Sequence, residues 1–347
     1  MLTNLRRNRC GETTRNRFVR THAVVLIGAL AVAFHLLAAT AAVAGEVVYA
    51  DGRREVVAAP RKTSRGLWTA EKDGRRIALT PGDVVVVIDD EGAEVVTIPA
   101  LSDAPLDPAA AMALAQIKDV KNKSWMQAAT TVGRSRARTA MDALVEMLGD
   151  RNKEVRKRAV AALALLRTRE SVVAAVRAAA TEKDRKTQRE MASQLLSVRE
   201  IVIRCDAAEG LRTGLQAQDA SVRITFALLA PGDDPEALRI LRVDGVGHSD
   251  HHFRESAAIA LARRGDAGGE AILIKMLRRS RLPGFDAGDR QIMERYLARE
   301  QVEICGLLRA LASAEGKVAV VAAKKSRLPT VAAAAATALE SWTESSD

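Results

Sequence analysis

Asp150 to Leu166 reads DRNKEVRKRAVAALALL: an acidic residue, a short polar gap, the apolar-Arg pair Val155-Arg156, then an alanine-rich run. On a helix, Val155, Ala159, Leu163 and Leu166 share one face, the stripe expected of a helix packed on one side. The same order returns at Asp219 to Leu229 (DASVRITFALL) and at Asp250 to Ala262 (DHHFRESAAIALA). A unit that recurs about every thirty residues and cannot bury its apolar stripe alone predicts stacking against its own copies.

Working outward, the first apolar position of each second helix falls at Trp125, Val155, Gln188, Val222, Phe253, Val302 and Val331, with gaps of 30, 33, 34, 31, 49 and 29 residues. Five of the six gaps agree within a turn of helix. The expected fold is therefore mainly α, an α-solenoid of about seven helical hairpins over 107–343. Asp107-Pro108 supplies its first N-cap and first turn, after a linker at 99–106. The 49-residue gap holds Leu282-Pro283-Gly284-Phe285-Asp286, Ala287-Gly288-Asp289 and a charged helix through Tyr296. The main reading is an ordinary long loop; insertions in such arrays map to loops on one face, often the binding face, so if any stretch marks the partner site it is this one.

The matching elements Leu144 to Leu148, Asp150, Val155-Arg156 and Ala159 to Leu166 carry a resemblance. From about Ala109 to Trp342 the chain resembles the HEAT-repeat superfamily, in the short alanine-rich variety of bacterial HEAT-like proteins and bilin-lyase relatives. The resemblance implies an ARM-type fold in which the acidic residue and the arginine join neighbouring units. Arg156, Arg189, Arg223 and Arg254 occupy the arginine place; Met126, Glu303 and Ala332 depart from it, the first and last in terminal units, where capping requires departure. The superfamily includes deoxyhypusine hydroxylases, which hold a di-iron centre with His-Glu dipeptides, and this chain contains no such dipeptide. The bilin-lyase label describes repeat type, since nothing here resembles a chromophore site.

Residues 1–44 read as a signal peptide, or alternatively an N-terminal membrane anchor. Six arginines between Arg6 and Arg20 precede an uncharged run from Thr21 to Gly45, which closes on Ala42-Val43-Ala44. A cut before Gly45 is expected. The uncharged run of 25 residues is also long enough to span a bilayer, which needs roughly 20. In either case the rest of the chain is exported, so the expected address is periplasmic or otherwise exported, secreted or in the cell envelope.

The whole chain has 53 Lys and Arg against 43 Asp and Glu. Without the leader the excess shrinks to about half, too mild for the concentrated stripe that nucleic-acid binding needs, so no nucleic acid is expected. Arg134-Ser135-Arg136-Ala137-Arg138, Lys153 to Arg158 and Arg278-Arg279-Ser280-Arg281 would form an anion-binding strip only if they fell on one side of the array. Otherwise they are solvated helix ends. Cys10 belongs to the leader; Cys205 and Cys305 lie in helical patterns and read as small buried hydrophobes.

Residues 46–98 read as a small antiparallel β barrel or sheet domain. Its expected strands are Glu46 to Tyr49, Glu55 to Ala58, Arg75 to Leu79, Val84 to Ile88 and Glu94 to Ile98, separated by turn signals such as Asp51-Gly52 and Asp73-Gly74. Trp68 is expected in its core.

His248, His251 and His252 stand in GHSDHHFRE, and with Asp250 they are the one candidate metal set. The competing reading makes Ser249-Asp250 a helix N-cap and the histidines its exposed first turn, with His251 and His252 pointing apart. No phosphate-cradling loop, nucleophile elbow or zinc-protease helix is present. The expected function is thus a non-catalytic protein-protein interaction or scaffolding module, with no catalytic or metal residues and no cofactor. Its partner is another protein, with membrane contact only through an uncleaved N-terminal segment. The alternatives are a metal-dependent enzyme built on His248, His251 and His252, or a polyanion binder.

Overall fold

The computed structural model describes residues 44–49, 54–62, 68–72, 75–79, 84–88, 93–95, 98–283 and 289–344. The expected leader, at 1–44, lies outside them except for Ala44. No helix among the described residues is long and apolar enough to cross a membrane. The fold is mainly helical, and the helices come in consecutive hairpins of a leading and a trailing helix.

The first three hairpins pair 108–118 with 125–135, 138–147 with 153–166 and 169–181 with 185–195. The fourth pairs 208–215 with 220–229 after a short helix at 199–202. In the fifth, 235–240 runs on as a π turn through 245 and pairs with 251–262. The sixth and seventh pair 270–278 with 290–311 and 314–323 with 329–344.

Side-chain caps set most of the trailing helices in place. Asp184, Asp219 and Asp250 accept the N–H of Thr187, Val222 and His252, satisfying donors that the first helical turn leaves unpaired. Asp107 caps the first helix through Ala110, with Pro108 in its first turn. Asp150, the expected equivalent of Asp219, is not a cap: Asn152 takes that place, and Asp150 accepts the N–H of Asn152 one step earlier.

Burial follows the predicted stripe, with Val155, Ala159, Leu163 and Leu166 all inside. The apolar interior forms two clusters that meet on one helix. Ala257 and Leu261 of the fifth trailing helix face the cluster built by hairpins one to five. Ala258 and Ala262, one position on, face the cluster built by hairpins five to seven. Small residues allow close approach along this helix: a Cβ on Gly269 would stand 2.5 Å from the Cα of Ala258.

Near the N-terminus six strands pair antiparallel in the order β4-β3-β2-β1-β5-β6, an open arrangement. They are β1 (Ala44–Tyr49), β2 (Arg54–Lys62), β3 (Trp68–Lys72), β4 (Arg75–Leu79), β5 (Val84–Ile88) and β6 (Ala93–Val95). β3 was not expected, and β6 ends at Val95, short of Ile98. Val47, Val57, Ala70, Leu79 and Val87 form one small buried cluster. The side chain of Trp68 lies outside the described residues. The cut expected before Gly45 falls inside β1, where Gly45 pairs with Val57.

The expected insertion is in large part helix. Arg290–Leu311 is one unbroken helix, so the charged segment through Tyr296 extends the sixth trailing helix by three turns. Val302, the expected anchor there, is exposed, and Gln301 beside it is buried. The Nε2 of Gln301 donates to the carbonyls of Leu277 and Arg279 at 2.8 Å each. Gln188 does the same in the third hairpin, donating to the Ala180 carbonyl at 3.0 Å. The anchor position therefore takes an amide wherever it must satisfy a carbonyl at the end of the leading helix.

Candidate functional site

Where an arginine follows the anchor, it builds a repeated joint. Arg156 donates Nη1 to the carbonyls of Asp150 and Arg151 at 2.9 and 3.2 Å, which fixes its guanidinium on its own hairpin's loop. Its other edge grips Glu182, at the end of the next leading helix, with two bonds of 2.8 Å. Arg223 repeats the geometry, with Nη1 on the carbonyls of Ala217 and Gln218 at 2.9 and 3.0 Å and Nε on Asp244 at 2.8 Å. Arg189 pairs with Asp219 of the following hairpin at 3.2 Å. Such two-bond pairs fix direction as well as energy, because the planar guanidinium matches the carboxylate.

Arg254 makes only half of this joint. Its Nη1 donates to the carbonyls of His248 and Ser249 at 2.6 Å each, as in the other two hairpins. No carboxylate among the described residues receives its other edge. The end of the next leading helix, where Glu182 and Asp244 stand for Arg156 and Arg223, presents a cation instead. That cation, Arg279, turns to Glu255 at 2.9 Å and to Glu300. The ladder thus reverses its polarity between the fifth and sixth hairpins.

These joints, with Lys153 on Asp184 at 3.0 Å, Arg185 on Gln218 at 2.8 Å and Arg327 on the Ser280 carbonyl at 3.0 Å, string the loops inside successive hairpins along one edge. Exposed cations collect there: Lys121, Lys123, Arg151, Lys183, Lys186 and Lys325 carry no ion pair among the described residues. The opposite edge, between hairpins, is mixed: the exposed acids Asp206, Asp233 and Glu236 share it with the exposed arginines Arg169 and Arg204.

The three basic runs do not make the strip considered from sequence. Arg134 to Arg138 lies between the first and second hairpins, on the opposite edge. Lys153, Lys157, Arg156 and Arg158 are paired with Asp184, Glu190, Glu182 and Glu154. Arg158 is also buried under its own hairpin's neighbour, donating to the carbonyls of Asp119 and Val120 at 2.8 and 3.0 Å and lying 5.1 Å from the centre of the Trp125 ring.

Glu182 is held below the usual carboxylate range chiefly by the Arg156 guanidinium. Asp184 is held below it by the N–H of Thr187 and then by Lys153. A carboxylate whose folded value is depressed contributes stability above its unfolded value and loses it as pH falls through the folded one. The melting temperature should therefore fall steadily below about pH 4, where unfolded Asp and Glu begin to take up protons. Thermal scans of E182Q/D184N should show lower stability at neutral pH and a flatter acid limb. An unchanged slope would remove these two groups from the account.

The capping reading holds for Asp250, which is the N-cap, and for His251 and His252, which open the helix behind it, while His248 lies before the cap. His248 is tied into the scaffold: its Nδ1 accepts the N–H of Asp250 at 3.1 Å, and its Nε2 lies 3.3 Å from the Ser221 hydroxyl. Its ring stands edge-on to Phe253. His251 and His252, expected to point apart, bring their ring centroids to 3.9 Å. They are the first two residues of their helix, where no preceding turn confines the side chain. Asp250, His251 and His252 offer ligand atoms within 4.8 Å of one another, so these three, without His248, are the residues that could hold a metal ion. Asp250 already spends Oδ1 on the helix cap.

A hollow of about 550 Å³ between the second and third hairpins is lined by Val145, Leu148, Arg156, Arg177, Glu182 and Met191 among others. Its charged walls are engaged, Arg156 with Glu182 and Arg177 with Glu209. Cys205 and Cys305 are both free thiols. Cys305 is buried, as expected, and burial pushes its thiol up to about 11, whereas Cys205 is only half-buried.

No family model matches this chain, and no curated protein does. Among solved structures, an engineered protein is similar over 67% of this chain and 68% of its own, at 20% identity and a TM-score of 0.40. A second engineered protein is similar over 69% of this chain and 98% of its own, at 19% identity and a TM-score of 0.34. Human deoxyhypusine hydroxylase in complex with glycerol is similar over 69% of this chain and 86% of its own, at 17% identity and a TM-score of 0.28. Likeness this distant carries no argument about activity; what stands is a mainly helical chain of repeated, arginine-jointed hairpins.

Proposed function

We propose that this chain is an exported α-solenoid of HEAT-like repeats that binds another protein and performs no chemistry. The observation that carries the reading is the ladder of joints along one edge of the array, with exposed cations beside it. Lys153, Arg156 and Arg189 are spent on joints at the edge formed by the loops inside the hairpins, and Lys121, Lys123, Arg151, Lys183, Lys186 and Lys325 are exposed along the same edge. A repeated scaffold with one charged edge suits recognition of an extended, oppositely charged surface. The six strands at the N-terminus are read as a small β domain ahead of the solenoid, and residues 1–44 as its export signal.

Affinity capture from an envelope extract of the source cell, with the full chain as bait, tests this reading. A protein recovered intact in fixed ratio to the bait is expected. A bait that converts its bound molecule into a product of different mass would overturn the non-catalytic reading. A fusion of residues 1–60 to a reporter active only outside the cytoplasm should be active; an inactive fusion of normal abundance would overturn the export reading.

A further inference from the structure

The edge formed by the loops inside the hairpins is most strongly charged over its first three loops. In the first hairpin Lys118, Lys121 and Lys123 are exposed, in the second Arg151, and in the third Lys183, Arg185 and Lys186. Side-chain bonds hold these loops next to one another. Arg158, from the second trailing helix, donates to the carbonyls of Asp119 and Val120 at 2.8 and 3.0 Å, and Lys153 pairs with Asp184 at 3.0 Å. The exposed acids beside these cations are Asp119, whose Oδ1 accepts the N–H of Lys121, and Glu146, near the end of the second leading helix. At the fourth loop the charge stops: Gln216 and Gln218 are exposed there, and Asp219 is held by Arg189.

The spacing of the loops says what shape of ligand they suit. The trailing helices of hairpins one to three pack side by side, and packed helices stand about 8 to 10 Å apart. One loop therefore follows the last by about that distance. A polypeptide in the polyproline conformation has three residues per turn and rises about 3.1 Å with each, so side chains on one face recur about every 9 Å. Laid across the loops, such a segment brings every third side chain to the next loop.

Deepening the scaffold reading, and resting on it, we propose that the loops inside hairpins one to three dock an extended acidic segment of the partner with a carboxylate at every third residue. One carboxylate meets Lys121 and Lys123, the next Arg151, and the next Lys183 and Lys186. Pairs on such an exposed rim fix register more than they add affinity. A polypeptide is favoured over single-stranded nucleic acid, which binds on rings free to stack bases. Trp125, the aromatic ring at these loops, already carries Arg158 over its face at 5.1 Å.

The test is fluorescence anisotropy of the full chain, in low salt, with a labelled, capped dodecapeptide of the repeating triplet Glu-Pro-Pro. Its block isomer with all glutamates adjacent, its Lys-Pro-Pro counterpart and a single-stranded oligonucleotide of equal charge are run beside it. The Glu-Pro-Pro peptide should bind about fivefold tighter than the block isomer, which reaches only one loop at a time. Lys121→Glu with Lys123→Glu, and Lys183→Glu with Lys186→Glu, should each weaken it about tenfold, and Arg151→Glu about threefold. Melting temperatures should stay unchanged, because these side chains carry no ion pair among the described residues. Arg204→Glu, exposed on the opposite edge, should leave affinity as it is.

Equal affinity for the two Glu isomers, no binding of either, an equal loss from Arg204→Glu, or tighter binding of the oligonucleotide would overturn the proposal. So would tighter binding to phosphatidylglycerol vesicles than to the peptide, which would make the occupant a lipid surface. If capture of an intact partner survives charge reversal in all three loops, the docking proposal falls and the scaffold reading stands. If the unaltered chain captures no intact partner, both fall.

Discussion

Arg279→Ala is expected to split the thermal unfolding of this chain into two transitions. Arg279 is the one cation holding both Glu255 of the fifth hairpin and Glu300 of the sixth, and all three side chains are largely shielded, at 15, 22 and 23% exposure. Removing it leaves two carboxylates close together with no counter-ion, a change that costs about 3 kcal/mol where the pair is shielded. The loss falls where the two apolar clusters meet on opposite faces of the 251–262 helix. In an array that folds by nearest-neighbour coupling, weakening one joint separates the blocks on either side of it. Differential scanning calorimetry should show hairpins six and seven melting first. A single transition displaced by less than about 1 °C, the equivalent of under about 1 kcal/mol for a chain of this size, would show that the joint carries no coupling.

The second large effect is expected at Gly214. A Cβ there would lie 2.2 Å from Cδ1 and Cγ of Phe226. Phe226 is fully buried at the centre of the fourth hairpin, so its ring has nowhere to retreat. Gly214→Val should therefore destabilise the chain by about 3 kcal/mol, the upper part of the usual overpacking cost. Gly306 provides the contrast, because an added Cβ meets nothing within 4 Å on an exposed turn of the 290–311 helix. Gly306→Ala should stabilise by about 0.5 to 1 kcal/mol through reduced backbone freedom. Urea titrations of the two variants giving equal shifts would contradict the packing described for the fourth hairpin.

The helical hairpins were legible because their information is local. Caps such as Asp219 and stripes such as Val155 to Leu166 are read within a few turns of one helix. The sixth hairpin was misread by one residue because matching by apolar letter favours Val302, whereas the buried side chain is Gln301. Its signal was present in Gln188, another amide at an anchor, but its cause is a carbonyl on a different helix. Arg279 was read as part of a solvated run for the same reason, since Glu255 and Glu300 are 24 and 21 residues away in sequence. The half-made joint at Arg254 was invisible: its sequence, Phe253-Arg254, is as good a match as Val222-Arg223, and only the lack of a carboxylate among the described residues distinguishes it. The stacking of His251 on His252 depends on rotamers at a helix start, which spacing does not encode.

The most direct measurement is hydrogen exchange, read by mass spectrometry, on the full chain alone and with its captured partner. The account predicts that protection is gained along the loops inside the hairpins, at 148–152, 182–184, 216–219 and 246–250, and at the start of the 290–311 helix. Protection gained instead on the opposite edge, at 167–168, 230–234 and 263–269, would contradict it.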